Sequence, residues 1–341
     1  MIDIRSMDFR EVTEYIASLG QPKFRAEQVF TWLHRGIVSF DEMTNIPKSL
    51  REKLQSECVL NSCECISCQI SKADGTRKYL FRFSDGNCVE SVFMKYNHGN
   101  TVCVSTQVGC RMGCVFCAST KNGLIRNLLP SEILAELFAI IRDTGEKISN
   151  IVLMGTGEPL DNYDNVIKFL HLVNDERGLN IGMRHISLST CGLCDKIKKL
   201  TEEKLPITLS VSLHAPTDEA RNAIMPVNKA YGIKRLIDEC KAYFNATSRR
   251  ISFEYTMIAG HTDTMELASE LAALLKNFPC HMNLIPLNKI NEGELSPSTP
   301  EQIKKFKDFL ERRGITVTVR RSLGADIDAA CGQLRQKYIS Q

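Results

Sequence analysis

The sequence of 341 residues contains no run of apolar residues long enough to span a bilayer, so no membrane helix is expected. Its start, Met1 to Gly20, is amphipathic and charged and lacks the apolar centre of a secretory leader. A cytoplasmic chain with reduced thiols is therefore expected. The net charge of +3 lacks the basic excess of a general nucleic-acid binder. There is no tandem repeat and no low-complexity tract. Acidic residues are missing from Ser91 to Ser131, where Lys95, Arg111, Lys121 and Arg126 are basic. From Glu301 to Gln341, nine Lys/Arg face five Asp/Glu, with the pairs Arg312-Arg313 and Arg320-Arg321. Two such patches could meet a phosphate backbone, or be ordinary solvated charge.

What the sequence has in quantity is cysteine, fourteen in all. In a reducing compartment these serve metal binding or catalysis, or are inert core. Three lie in Cys110-Arg111-Met112-Gly113-Cys114-Val115-Phe116-Cys117. A closed structural metal site takes four protein ligands. Three thiolates can hold three corners of a cubic iron–sulfur cluster and leave one iron open for a substrate or cofactor. Phe116 would cover such a cluster. Zinc ligands or buried thiols are the alternatives. The spacing resembles that of the radical S-adenosylmethionine (SAM) enzymes, in which the open iron chelates the amino and carboxylate groups of SAM.

Periodicity divides the chain. Phe9, Val12, Ile16 and Leu19 have helical spacing ended by Gly20; Phe24, Val29, Phe30 and Leu33 form a second helix, and Pro47 opens a third. Tyr79–Phe83 and Val89–Met94 alternate as strands about an Asp85-Gly86 turn. Asn97-His98-Gly99-Asn100 reads as a linker. Strand-like runs then follow at Thr101–Ser105, Asn150–Met154, His185–Ser189, Thr208–Leu213, Ile251–Met257 and His281–Ile285, with helical runs between and after them. This predicts an α/β fold with a parallel sheet. Six units match the partial (β/α)6, TIM-like barrel of radical SAM enzymes, carrying a small N-terminal helical domain and a β-extension. Chemistry in such barrels sits at the C-terminal strand ends. There lie the cysteine loop, Gly155-Thr156-Gly157-Glu158-Pro159, Ser189, Ser212-Leu213-His214 and Pro286-Leu287-Asn288. Metal ligands Cys110, Cys114 and Cys117, and cofactor-binding Gly157, Glu158, Ser189, Ser212, Leu213, His214 and Asn288, are thus expected around one pocket. The glycines would let backbone approach a ligand, and Glu158 would accept from an ammonium group.

Two further strings narrow the resemblance. Gly324-Ala325-Asp326-Ile327-Asp328-Ala329-Ala330-Cys331-Gly332-Gln333-Leu334, and Cys103-Val104-Ser105-Thr106-Gln107-Val108-Gly109-Cys110, resemble the radical SAM RNA adenine methyltransferases. Pro159-Leu160 after Gly157-Glu158 is typical of the dual-specificity 23S rRNA and tRNA carbon-2 branch; the alternative is the carbon-8 branch of antibiotic resistance. The resemblance covers essentially the whole chain. It implies an RNA-binding, helix-hairpin-helix-like domain at 1–58, a β-extension and linker at 59–100, the core barrel at 101–320 and a tail at 321–341. It also implies one [4Fe–4S] cluster and two SAM per turnover. One SAM methylates Cys331; the second yields a 5′-deoxyadenosyl radical that takes a hydrogen from that methyl group. The carbon radical adds to adenine carbon 2, Glu90 removes the proton there, and Cys103 attacks the sulfur of Cys331, leaving a disulfide. The implied partners are 23S rRNA, tRNA, a small electron-transfer protein and a thiol reductant, and a monomer is expected. Cys63, Cys65 and Cys68, and the pair Cys191 and Cys194, read as structural or incidental. A non-catalytic RNA-binding module with a structural metal, and an activase making protein glycyl radicals, are the competing readings; the first leaves the open three-cysteine geometry and the paired distant cysteines unexplained, and the second needs neither Cys331 nor Glu90.

Overall fold

The computed structural model describes residues 1–287, 295–321, 323–324, 326–327 and 332–339. Asn288 and Cys331 lie outside these residues. The first helix, Phe9–Ser18, starts where Asp8 and Glu11 cap each other: Glu11 N donates to Asp8 Oδ1 at 2.8 Å, and Asp8 N to Glu11 Oε2 at 2.7 Å. Val12 and Ile16, one turn apart, are its buried face. Phe24–Leu33 buries Ala26, Val29, Phe30 and Leu33, and Pro47 precedes Lys48–Glu57. These helices share a continuous apolar core with the rest of the chain. Arg5 ties them in: its buried guanidinium donates to Ile37 O at 2.5 Å and Asn61 O at 2.6 Å, and lies 5.4 Å from the Phe138 ring centroid.

One ten-stranded sheet carries the rest. Its strands in chain order are β1 (Glu64–Ile70), β2 (Arg77–Arg82), β3 (Cys88–Tyr96), β4 (Gly99–Cys103) and β5 (Asn150–Leu153), then β6 (Ile186–Thr190), β7 (Thr208–Ser212), β8 (Ile251–Met257), β9 (Cys280–Pro286) and β10 (Thr316–Val319). The spatial order equals the chain order. β1 to β4 are antiparallel, and β4 to β10 are parallel. Helices Pro130–Thr144, Tyr163–Asn174, Cys194–Glu203, Ile233–Thr247, Met265–Leu274 and Pro300–Glu311 make the crossovers. The central parallel strands alternate in character: in β8, Ile251, Phe253, Tyr255 and Met257, all fully buried, face one side in the apolar core, while Ser252, Glu254 and Thr256 face the other. A parallel sheet whose neighbours follow chain order curls into a barrel. Among the described residues β1 and β10 are the two edges and do not pair, so the barrel is partial.

Two expectations are corrected here. Asn97-His98-Gly99-Asn100 is no linker: Tyr96 pairs with Gly99 and Lys95 with Asn100, so the segment is a tight hairpin turn joining β3 to β4. The β-extension is therefore continuous with the barrel sheet. A seventh parallel strand, β10, follows the six expected. Only Val317 of its four residues is buried, so it carries too little apolar periodicity to stand out beside Arg320-Arg321.

Candidate active site

The C-terminal ends of the parallel strands open into a cavity of about 1010 Å³. The cysteine loop leaves β4 through a short hairpin, Gln107–Gly109 with Leu124–Asn127, and Cys110 N donates to Gly123 O at 2.9 Å. Inside the loop Cys117 N donates to Cys114 O at 3.1 Å, and Thr120 Oγ1 to Cys117 O at 2.9 Å. Val115 N donates to Ile224 O at 3.1 Å, anchoring the loop to the segment after β7. Cys110, Cys114 and Cys117 all line the cavity. Burial pushes the Cys110 and Cys114 thiols up to about 12. Burial thus favours the protonated thiols, and a bound metal ionises such ligands by displacing their protons.

The opposite wall comes from the following loops. Glu158, Ser189, Ser212 and His214 line the cavity. His214 has a left-handed backbone (φ 56°), and its Nδ1 accepts from Thr256 N at 2.9 Å. That bond assigns the proton of the neutral ring to Nε2. Burial pushes the His214 imidazole down to about 3, so it is uncharged at neutral pH. Phe116 meets its ring edge-on at 4.7 Å. Glu158 does not wait unpartnered for an ammonium group. Its Oε2 accepts from Cys191 N at 2.7 Å and its Oε1 from Leu160 N at 3.0 Å, and burial raises its pKa. Gly157, at φ +107°, lines the cavity, but a Cβ there would lie 2.6 Å from Gln107 Cβ. The close approach this glycine permits is protein against protein. Leu213 is fully buried in the apolar core; only its backbone serves the site, accepting from Arg221 Nε at 3.0 Å. Asn288 lies outside the described residues.

Cys103 ends β4, paired with Val92 and Val152, and lines the cavity. It packs with Val92, Met94, Met154 and Leu323 of the tail. Glu90 lies on the same face of β3 as Val92 and Met94, and is 2% exposed. Its Oε2 accepts from Lys78 Nζ at 2.5 Å and from Gly332 N at 2.7 Å, and its Oε1 from Arg335 N at 2.6 Å. Gly332 follows Cys331 in the chain, and itself approaches the cysteine loop: at φ +79°, a Cβ there would lie 2.7 Å from Ser119 N. The tail is also pinned at Asp326, which accepts from Ser71 Oγ at 2.6 Å and Lys72 N at 2.8 Å, and at Gly324, which donates to Asp74 at 2.8 Å.

Sequence reasoning missed several residues. Gln107 links three loops, accepting from Glu158 N at 2.8 Å and donating to Asn127 at 2.8 Å and Asp161 at 2.9 Å. Arg221, fully buried, binds the carbonyls of Cys191, Ser212 and Leu213. Glu254 and Cys191 line the cavity, and Cys191 packs against Cys114. Glu254 has one available signal, a carboxylate in an apolar strand. Cys191 directly follows β6, where the strand-end rule already pointed. The basic patch around the cysteine loop is largely neutralised: Arg111 pairs with Asp161, and Arg126 with Asp85 and Glu132, acids from outside the acid-free segment. The cavity rim instead carries Lys121, Arg320, Arg321 and Lys337. All thirteen described cysteines are free thiols.

A partial barrel with a three-cysteine loop after its first strand defines a radical SAM enzyme, and residues 104–274 match the Radical SAM superfamily. Residues 2–60 match the ribosomal RNA large subunit methyltransferase N-terminal domain. A probable dual-specificity RNA methyltransferase RlmN of Lachnospira eligens is 53% identical over 99% of this chain and 97% of its own. Its counterpart in Desulforamulus reducens is 52% identical over 100% of this chain and 97% of its own. The crystal structure of a radical SAM methyltransferase from Sphaerobacter thermophilus is 41% identical, covers 98% of this chain and 99% of that one, and superposes with a TM-score of 0.93. The chain belongs to the RlmN family of radical SAM RNA methyltransferases.

Membership implies a [4Fe–4S] cluster and SAM. The donor set fits: three thiols border one cavity, two of them buried, on a loop fixed by backbone bonds at both ends. The remaining wall supplies hydroxyls and a neutral imidazole, suited to ribose and carboxylate. Among the described residues no helix is long and apolar enough to cross a membrane.

Proposed function

We propose that this chain methylates carbon 2 of an adenosine in the peptidyl transferase region of 23S rRNA and of the adenosine next to the anticodon in tRNA. The observation that carries the reading is the meeting of three elements at one cavity. Cys103 and the cysteine triplet line it, and Glu90, on the cavity face of β3, holds Gly332, the residue after Cys331. Neither an RNA-binding module nor a protein-radical activase has use for that convergence. The 41% identical neighbour is described as a methyltransferase, and the curated relatives as dual-specificity RNA methyltransferases.

In this reading Cys110, Cys114 and Cys117 hold the cluster, and Gly157, Glu158, Ser189, Ser212, His214 and Asn288 surround SAM, with Leu213 contributing backbone alone. Two SAM are used per turnover. When bound, the cluster and SAM supply the electron and the radical that activate a methyl group carried by Cys331. Glu90 takes the proton from carbon 2 of the joined base, and the unpaired electron left by the radical addition would return to the oxidised cluster. Cys103 then attacks the sulfur of Cys331. An S–S bond forms, the carbon–sulfur bond breaks with its electron pair on carbon, and that carbon takes a proton to become the product methyl. A thiol reductant reopens the disulfide, and a small electron-transfer protein feeds the cluster. Residues 1–58 act as the RNA-facing domain, 59–100 as the β-extension that carries the base, 101–320 as the barrel and 321–341 as the methyl-carrying tail. The protein works as a cytoplasmic monomer.

Mass spectrometry of nucleosides from rRNA and tRNA incubated with the protein, SAM and a reductant tests this. The expected product is 2-methyladenosine in both RNAs. Recovery of 8-methyladenosine, or of unmodified RNA from cluster-loaded protein, would overturn it.

A further inference from the structure

Among the described residues Lys78 is the only buried lysine, 1% exposed. It sits on β2, where Lys78 pairs with Val92 and Leu80 with Glu90, so its side chain shares a face with Glu90 and reaches it diagonally. Its ammonium bonds Glu90 Oε2 at 2.5 Å. Burying an ion pair is costly, and an apolar residue commonly serves packing better at such a position. Gly332 N and Arg335 N of the tail engage the two carboxylate oxygens as well. What the lysine alone supplies is a full positive charge fixed on the carboxylate from the strand beside it. Among the described residues the other charge facing Glu90 is the Arg335 guanidinium, on the tail segment Gln333–Ile339; just after β4, Ser105 Oγ donates to the Glu90 backbone carbonyl at 2.7 Å.

We infer that Lys78 is the positioning residue of the proton-abstracting step: its ammonium, fixed on the adjacent strand, holds and aims the Glu90 carboxylate when tail and base are engaged at the cavity. The inference rests on the reading of Glu90 as the base. Burial without a counter-charge favours the neutral acid, which cannot accept a proton. The tail bonds can exchange during turnover, since they come from a separate segment. The Lys78 bond comes from the adjacent strand and stays in place. In the step itself the carbon-2 proton moves to Glu90, the C–H electron pair returns to the ring, the unpaired electron left by the radical addition would pass back to the oxidised cluster, and Lys78 exchanges no proton.

The experiment follows the covalent RNA–protein species on denaturing gels with labelled RNA, SAM and a reductant, from about pH 6 to about pH 9. Lys78→Met should form the species but release methylated RNA at least about tenfold more slowly at neutral pH, with release recovering as pH rises. Lys78→Gln, which keeps a neutral donor of similar reach, should stall in the same way and serves if Lys78→Met does not fold. Lys78→Arg should release with the unmodified profile. Visible absorption of the cluster, equal in all variants, verifies folding. Glu90→Gln should stall at every pH. Release by Lys78→Met or Lys78→Gln with the unmodified pH profile, while Glu90→Gln stalls, would overturn the role of Lys78 and leave the base assignment standing. Normal release by Glu90→Gln would overturn the base assignment and the role of Lys78 with it.

Discussion

Cys103 lines the cavity and Cys331 belongs to the tail sequence, and the proposed chemistry asks different things of them. Cys331→Ala has no sulfur to carry a methyl group and should give neither product nor covalent RNA. Cys103→Ala should still attach to RNA but lack the thiol for exchange, so a protein–RNA band should persist on denaturing gels. Many turnovers by Cys103→Ala would return that residue to its packing role beside Val92 and Met94. Loss of one cluster thiol should be complete in effect: Cys114→Ala should lose the broad visible absorption and bound iron. Away from the site, His34 offers a pH test. It is 4% exposed, neither ring nitrogen has a hydrogen-bond partner among the described residues, and burial, helped by Arg5, pushes its pKa down to about 4. A histidine protonated more readily unfolded than folded stabilises the fold above its unfolded pKa of about 6.5, and that contribution is lost as pH falls toward about 4. His34→Leu, which removes both the titration and two orphaned nitrogens, should flatten the fall in Tm between about pH 7 and about pH 5. An unchanged slope in thermal scans would count against it.

At the level of elements, the tail is held by small contacts with strict geometry. Gly332→Ala places a methyl 2.7 Å from Ser119 N on a left-handed backbone, costing roughly 1–3 kcal/mol of local strain. The cluster absorption should survive, while methyl transfer falls and tryptic cleavage after Arg335 and Lys337 speeds up. Equal proteolysis of variant and parent would show that the tail does not depend on this contact. The elements themselves were legible in the sequence to different degrees. Long alternating strands such as Ile251–Met257 announce themselves, and so do the helical spacing of Phe9, Val12 and Ile16 and a helix opened by Pro47. β10 and the β3–β4 turn did not, because four residues carry little pattern and because a polar tetrapeptide serves a linker and a hairpin equally. The strand-end rule found the cavity-lining Ser189, Ser212 and His214, but could not tell that Leu213 turns inward or that Glu158 is bonded to neighbouring backbone. Arg111 and Arg126 misled because their acidic partners lie outside the acid-free segment, in Asp161, Asp85 and Glu132.

Across the whole molecule, the N-terminal helices are packed into the barrel core, so removing them would test stability more than RNA binding. A surface change separates the two. Arg35 is exposed and lies 4.9 Å from the Trp32 ring centroid. If this domain meets RNA through it, Arg35→Ala should weaken binding and lower the salt dependence of affinity by roughly one ion, with Tm unchanged. A salt titration of binding with an unaltered slope would place the RNA elsewhere. The cavity imposes a further demand on that RNA. The reacting thiols line a recess of about 1010 Å³ bounded on one side by the sheet, and an enzyme that does chemistry on a base inside such a recess takes that base out of its stack. The target adenine must therefore be swung out of its stack before any bond is made, with the loss of stacking drawn from the energy of backbone contacts. Selection then begins with how easily an adenine leaves the helix, ahead of which bases flank it. An RNA in which the same adenine is locked in a stable Watson–Crick pair should be methylated far more slowly than one presenting it in a loop.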